Sequence, residues 1–174
     1  NENTEEDNET LSKEYSNLGV LCQCRGEFVE AKKFFEKALC IIQKMADRRT
    51  EAEICANLAS LELSLGEDEK LKQYCKKAFM IAETCKDVKV ILQVYGIIGN
   101  AYQCAGEFSR AMEYHEQRLS ILETNDSNLW DKRCESSCYH NIGQCHASFG
   151  DHRKAIEYFK RTLAISEAIG DKSG

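Results

Sequence analysis

Ten cysteines and four histidines are the side chains of this 174-residue chain that could bind a metal or act as nucleophiles. Cys22 and Cys24 form a short pair, and Cys134, Cys138 and Cys145 could share one helix face. Structural zinc needs two closely spaced ligand pairs that converge from a loop or turn, and neither set has that spacing. A reactive thiolate needs a nearby positive charge, which no neighbouring residue suggests. We therefore expect these cysteines to fill a core, with no metal site.

Other catalytic and cofactor motifs are also missing from the sequence. There is no nucleophile elbow, no phosphate-binding glycine loop and no metal-binding helix. The glycines that can be assigned instead have positions in a repeated structural pattern. We expect this segment not to be an enzyme and to use no cofactor.

The composition and net charge limit which partners and which cellular compartment we expect. The net charge of −6 repels a phosphate backbone, so nucleic acid is not an expected partner. No apolar run approaches the roughly 18 residues that span a bilayer, and residues 1–10 are acidic, so no membrane association is expected. Cysteines that fall inside helical patterns behave as small hydrophobes, which favours a reducing, cytoplasmic location.

Small residues recur at a regular spacing and define four repeats. Successive repeats are 40, 40 and 44 residues apart in each of three series: Gly19, Ala59, Gly99 and Gly143; Gly26, Gly66, Gly106 and Gly150; and Ala31, Leu71, Ala111 and Ala155. An aspartate suited to capping a helix marks the start of each repeat and of a possible fifth: Asp7, Asp47, Asp87, Asp126 and Asp171.

Each repeat divides at its second glycine into two helices. In the first repeat one helical face carries Leu11, Tyr15, Leu18 and Cys22, and the opposing stripe carries Phe28, Ala31, Phe35, Ala38 and Ile42. Strand-type alternation is absent, and the lack of proline allows long helices. The pattern predicts an all-α fold of eight antiparallel helices, in which the small residues permit close approach of neighbouring helices.

The repeated order of aromatic, Leu or Ile with Gly, a second Gly, Phe and Ala resembles the tetratricopeptide repeat (TPR). The 40-residue period, the GEF turn and the phrase AMEYHEQRLSI resemble the longer variety found in the LGN/Pins type of G-protein-signalling modulators. The resemblance implies a right-handed superhelical solenoid of four TPR hairpins. It covers residues 1–174 as a single array, with repeats at about 8–46, 47–86, 87–125 and 126–170, which we expect to be a fragment of a longer protein. Glu62, Asp68 and Leu71 depart from the pattern in the second repeat.

The resemblance also implies a concave groove lined by the first helix of each repeat. Carried over position by position, the groove residues that could hold the main chain of a peptide are Asn17, Gln23, Asn57, Asn100, Gln103, His140, Asn141 and Gln144. An amide offers both a donor and an acceptor to an extended peptide. The alternative is that these amides are solvated or brace adjacent helices. A lysine and arginine clamp for a C-terminal carboxylate is not matched, because Ser16, Ala56, Gly96 and His140 occupy its positions.

The remaining candidates have packing interpretations. His115, His146 and His152 fall at packing positions of the repeat, which leaves His140 as a possible polar contact. Trp130 either packs on the preceding hairpin or contacts a partner. We therefore predict a non-catalytic adaptor that binds a protein or peptide segment. The alternative is a structural spacer or self-association segment that joins through the ends of the array.

Overall fold

The computed structural model describes the backbone of residues 2–124 and 129–170 and the side chains of residues 6–124 and 132–170. These residues form eight α-helices: α1 (Glu2–Cys24), α2 (Phe28–Met45), α3 (Arg48–Leu65), α4 (Asp68–Cys85), α5 (Val88–Cys104), α6 (Phe108–Glu123), α7 (Leu129–Ser148) and α8 (His152–Gly170). No strand occurs in this part of the chain, as the sequence predicts. None of the described helices is long and apolar enough to cross a membrane. The prediction for Trp130 concerns a side chain outside the described set.

The turn inside each repeat depends on the second glycine, as predicted. The backbone φ of Gly26, Gly66, Gly106 and Gly150 lies between 72° and 80°, a region that favours glycine. At Gly66 the backbone N–H bonds to the carbonyls of Glu62 and Leu63 and ends α3. The turns after α2 and α4 instead place Ala46 and Lys86 at φ of 57° and 51°, which the sequence does not indicate.

The predicted aspartate caps are found at two of the five positions. The Asp47 carboxylate accepts a hydrogen bond from the Thr50 N–H at 3.2 Å, and that of Asp87 accepts one from the Lys89 N–H at 2.9 Å. The prediction is wrong for Asp7, because α1 starts at Glu2 and Asp7 lies inside it. Asp126 and Asp171 lie outside the described residues.

The helices divide into two compact units, residues 1–98 and 99–174, with the boundary inside α5. Unit 1 packs Phe35, Ile42, Ile54, Leu58 and Leu61, all 0 to 1% exposed, between its hairpins. Leu71, one of the departures from the repeat pattern, is also buried there. The buried cluster therefore comes from α2 of the first hairpin and α3 of the next, and α1 adds the partly buried Tyr15 and Cys22 against it.

The face predicted for α1 is partly wrong. Leu11 and Leu18 are 44% and 41% exposed, because they lie on a side of α1 that no described helix covers. The buried positions are Ser12 and Gly19 instead, and the Ser12 hydroxyl donates to the Ala38 carbonyl at 3.2 Å.

Close helix approach at the first glycine is confirmed in both units. A Cβ added to Gly19 would lie 2.7 Å from the Phe35 ring, and one added to Gly143 would lie 2.8 Å from the Phe159 ring. Real Cβ atoms do not approach so closely, so each aromatic ring needs its glycine. In repeat 3 the ring against Gly99 is that of His115, again at 2.8 Å.

His115 is a buried polar group in the core of unit 2. Its side chain is fully buried, and neither Nδ1 nor Nε2 has a hydrogen-bond partner among the described residues. Burial, assisted by the positive charge of Arg118, lowers the pKa of His115 to about 4. The imidazole is therefore neutral near pH 7 and fills the place that a phenylalanine fills in other hairpins.

A buried carboxylate explains the other departure in repeat 2. Glu62 is fully buried, and its Oε1 lies 2.5 Å from Lys32 Nζ, while its Oε2 has no partner among the described residues. This hydrogen bond raises the pKa of Lys32. The ion pair joins α2 to α3, so Glu62 is compensated by a residue of the previous hairpin.

The core packing predicted for the cysteines and histidines is confirmed in part. Cys22 is half-buried against the core of unit 1, whereas Cys40 and Cys104 are exposed. Cys134, Cys138 and Cys145 are buried on α7, and His146 is buried with its ring stacked on Tyr158 at 5.4 Å. Cys24 is exposed near the end of α1, and His152 is exposed because it is the first residue of α8.

Candidate functional site

Four of the predicted amide side chains meet in unit 2. Asn100 and Gln103 lie three residues apart on α5, and Asn141 and Gln144 lie three residues apart on α7, so each pair occupies one helix face. Asn141 Nδ2 donates to Asn100 Oδ1 at 2.9 Å. Gln103 Nε2 donates to Gln144 Oε1. Two amide pairs therefore join the first helices of repeats 3 and 4.

These pairs lie in an open pocket of about 730 Å³, a volume within the range of small-molecule sites. We call it the amide pocket and define it by its lining residues: Asn100, Gln103, Cys104, Phe108, Asn141, Gln144, Ala147 and Ser148. All eight side chains are uncharged. The Phe108 ring forms an edge contact with Phe149 at 6.0 Å, which fixes one wall.

The amides of the pocket keep unused hydrogen-bonding capacity. A primary amide has two N–H donors and one carbonyl acceptor, and each pair uses one donor and one acceptor. Asn100 Nδ2, Asn141 Oδ1 and Gln144 Nε2 take no part in these bonds and have no hydrogen-bond partner among the described residues. The pocket therefore presents donors and an acceptor together.

Gln103 differs from the other three amides because its unpartnered acceptor is buried. Its Oε1 is buried and has no hydrogen-bond partner among the described residues. A buried carbonyl without a partner raises the free energy of the folded state. The bond to Gln144 thus holds Gln103 in an orientation that leaves its acceptor unused.

The predicted residues of unit 1 form a different arrangement. Gln23 Nε2 donates to Ser60 Oγ at 3.0 Å and lies 3.4 Å from Ser64 Oγ. Asn57 is half-buried and Asn17 is exposed, and neither has an amide partner among the described residues. Val20 occupies the position in repeat 1 that Asn100 occupies in repeat 3. Among the described residues, unit 1 therefore has two amide-to-hydroxyl contacts from the single amide of Gln23, where unit 2 has two amide pairs.

His140 lies beside the amide residues on α7 but is not a lining residue of the pocket. Its side chain is exposed, and its ring lies 5.6 Å from that of Phe159. Sequence reasoning did not assign Phe108 and Ser148 to the site. Their positions, at the first residue of α6 and the last residue of α7, mark the ends of helices that border the pocket.

No part of the described chain gathers the ligands of a metal ion. Among these residues there is no group of three or more histidine, cysteine, aspartate or glutamate side chains that could hold one. The buried thiols are also poor nucleophiles, since burial raises the pKa of Cys55, Cys75 and Cys138 to about 11. The candidate chemistry of the site is hydrogen bonding and apolar contact.

Fold and site together define a helical-hairpin repeat protein with an uncharged, amide-lined pocket. Family models described as tetratricopeptide repeat match residues 15–48, 52–85, 94–129 and 136–168. The chain is therefore built of tetratricopeptide repeats, and the predicted all-α TPR fold is confirmed.

Three known proteins show the range of similarity. The chain is 32% identical over 73 residues to the photosystem I assembly protein Ycf3 of Rippkaea orientalis, which covers 42% of the chain and 38% of that protein. The crystal structure of BtubC (BKLC) from P. vanneervenii matches with a TM-score of 0.68 and 26% identity, over 92% of this chain and 65% of that one. The Rap protein complexed with Competence and Sporulation Factor matches with a TM-score of 0.64 and 20% identity, over 90% of this chain and 43% of that one.

The chain spans between 38% and 65% of the length of these three proteins. The finer resemblance to the LGN/Pins type is not confirmed by any of them and stays a prediction.

Proposed function

We propose that the chain is a protein-interaction module that holds an extended segment of a partner protein in the amide pocket, without catalysing a reaction. The observation that carries this proposal is the convergence of Asn100, Gln103, Asn141 and Gln144 from two helices on one open pocket. We expect the module to act in a reducing, cytoplasmic compartment, as its free cysteines suggest.

The hydrogen-bonding capacity of the pocket matches a peptide main chain. Each residue of an extended segment offers one N–H donor and one C=O acceptor. Asn141 Oδ1 can accept from such an N–H, and Asn100 Nδ2 or Gln144 Nε2 can donate to a carbonyl. Contacts to the main chain secure a segment with little regard to its sequence, which is typical of an adaptor.

The comparisons support a binding role at the level of the fold. The Rap protein, which shares this fold, is complexed with Competence and Sporulation Factor. Function transfers poorly between members of one fold, so the argument for binding here rests on the pocket.

Capture from cell lysate tests the proposal with three matched baits. The baits are the wild-type chain, the double variant Asn100→Ala/Asn141→Ala, and the control Gln117→Ala, which removes an exposed amide of α6 outside the pocket. Proteins held by the wild type and the control but lost from the double variant are the expected result. Circular dichroism must show equal helical content in all three. Equal capture by all three baits would contradict binding through the pocket.

A second candidate is self-association, which exposed apolar side chains favour. Leu18 and Leu21 of α1 are 41% and 60% exposed, and Ile156 and Leu163 of α8 are 54% and 58% exposed. Covering such side chains with another molecule removes apolar surface from water, which lowers the free energy. Light scattering over a range of concentrations tests this candidate, and a mass that stays at one chain would contradict it.

A further inference from the structure

The amide pocket has an apolar part as well as a polar part, and this part limits which segments fit. Cys104, Phe108 and Ala147 line it beside the amide pairs. Cys104 and Phe108 come from the end of α5 and the start of α6, and Ala147 comes from the last turn of α7. An alanine at position 147 leaves space where repeat 3 has the longer Gln103.

The lack of charge in the pocket also limits which segments fit. The eight lining residues carry no formal charge, so a charged ligand side chain in the pocket would find no counter-ion among them. A ligand amide, in contrast, finds partners at Asn100, Asn141 and Gln144. The pocket thus favours polar main chain and apolar side chain, and disfavours ionised groups.

Resting on the proposed function, we infer that the ligand class of the amide pocket is an uncharged extended peptide segment. An aliphatic or aromatic side chain of the segment occupies the space between Cys104, Phe108 and Ala147, and the main chain on either side bonds to the amides. Gln103 contributes by turning toward the segment, because the bond that its Nε2 gives up to Gln144 Oε1 is offset by a donor from the segment for its unpartnered Oε1.

The test is a selection from a random peptide library displayed on phage, with the full chain as target. The enriched peptides are synthesised, and their dissociation constants are measured for the wild type, for Asn100→Ala/Asn141→Ala and for the control Gln117→Ala. We expect peptides with an uncharged core that contains one fixed apolar residue. Their affinity should fall about tenfold or more in the double variant and stay unchanged in the control.

A charged substitution in the apolar part of the pocket tests whether an apolar ligand side chain binds there, which main-chain binding to the amides alone does not require. Ala147→Glu should weaken the selected uncharged peptides by about tenfold or more, since it fills the space and introduces an unpaired carboxylate. Ser148→Glu, at an exposed position of the same wall, repeats the test if Ala147→Glu loses helical content.

Two results would overturn the inference in different ways. If the peptides that depend on Asn100 and Asn141 all carry an acidic or basic residue at a fixed position, the ligand class is wrong and the proposed function stands. If no selected peptide loses affinity in the double variant, the proposed function fails, and the ligand class fails with it.

Discussion

Replacement of His115 by phenylalanine should stabilise the protein. His115 is fully buried, and neither ring nitrogen has a hydrogen-bond partner among the described residues. Phe35 and Phe159 occupy the equivalent place against Gly19 and Gly143 at nearly the same approach, 2.7 and 2.8 Å compared with 2.8 Å for His115 and Gly99. A phenyl ring therefore fits this type of site. An unpaired buried polar group costs about 1–3 kcal/mol, which sets the expected gain for His115→Phe.

The same residue predicts a pH dependence whose sign follows from its pKa. Burial lowers the pKa of His115 from 6.5 to about 4. The unfolded chain then binds more protons than the folded chain between these values, so the free energy of unfolding falls as the pH drops from 6.5 through 4. A difference of about 2.5 pH units corresponds to about 3 kcal/mol lost at the acid end. His115→Phe should remove this part of the acid sensitivity.

Urea denaturation at pH 7, 6 and 5 measures both effects. The control is His152→Phe, which changes an exposed histidine and should alter the free energy of unfolding by less than about 0.5 kcal/mol. If His115→Phe is less stable than the wild type at pH 7 and keeps the same slope with pH, the interpretation of His115 as a buried neutral group is refuted. An NMR titration midpoint near 6.5 for His115 would refute it as well.

Three further predictions follow from packing, charge and exposure. Gly143→Ala should lower the free energy of unfolding by about 1–3 kcal/mol, because the new methyl group meets the Phe159 ring. Thermal melts check this, and the double variant Gly143→Ala/Phe159→Leu should recover part of the lost stability. Lys32→Met should lower the free energy of unfolding by about 3 kcal/mol, because the Glu62 carboxylate is then buried without its cation. The double variant Lys32→Met/Glu62→Leu should recover most of this loss, and equal stability of the two variants in urea would contradict the ion pair. In the native protein a thiol reagent should react fast only with the exposed cysteines, which are Cys24, Cys40 and Cys104. Mass mapping that finds fast labelling of Cys55, Cys75 or Cys138 would contradict their burial.

The hairpins could be predicted from sequence because their determinants are local. A glycine with positive φ ends the first helix of each repeat, and in repeats 1, 3 and 4 another glycine, about two helical turns earlier, admits an aromatic ring. Both features are visible as fixed spacings. The same spacings place Phe35 against Gly19 and Phe159 against Gly143.

The exposure of Leu18 and the ion pair of Glu62 could not be predicted in this way. An apolar residue on a helix stripe is buried only if another helix covers that side, and none of the described helices covers Leu18. Glu62 is tolerated because Lys32 reaches it from the previous hairpin, across 30 positions of the chain. The periodicity within one repeat predicts neither the exposure of Leu18 nor the ion pair of Glu62, because both depend on another helix.

The site could be predicted in residue type but not in geometry. The amide positions carried over from the repeat include those that line the pocket, whereas their pairing depends on which residue stands opposite. Asn100 faces Asn141, while the equivalent position in repeat 1 is Val20, which has no amide.

Site-specific photocrosslinking tests the central claim most directly. A photoreactive benzoylphenylalanine replaces Ser148, which lines the amide pocket, or Gln117, which lies on α6 outside it. With cell lysate present, we expect a crosslinked partner from position 148 that is absent from position 117 and is lost when Asn100→Ala/Asn141→Ala is added. A partner that crosslinks equally from position 117, or that persists in the double variant, would contradict binding in the amide pocket.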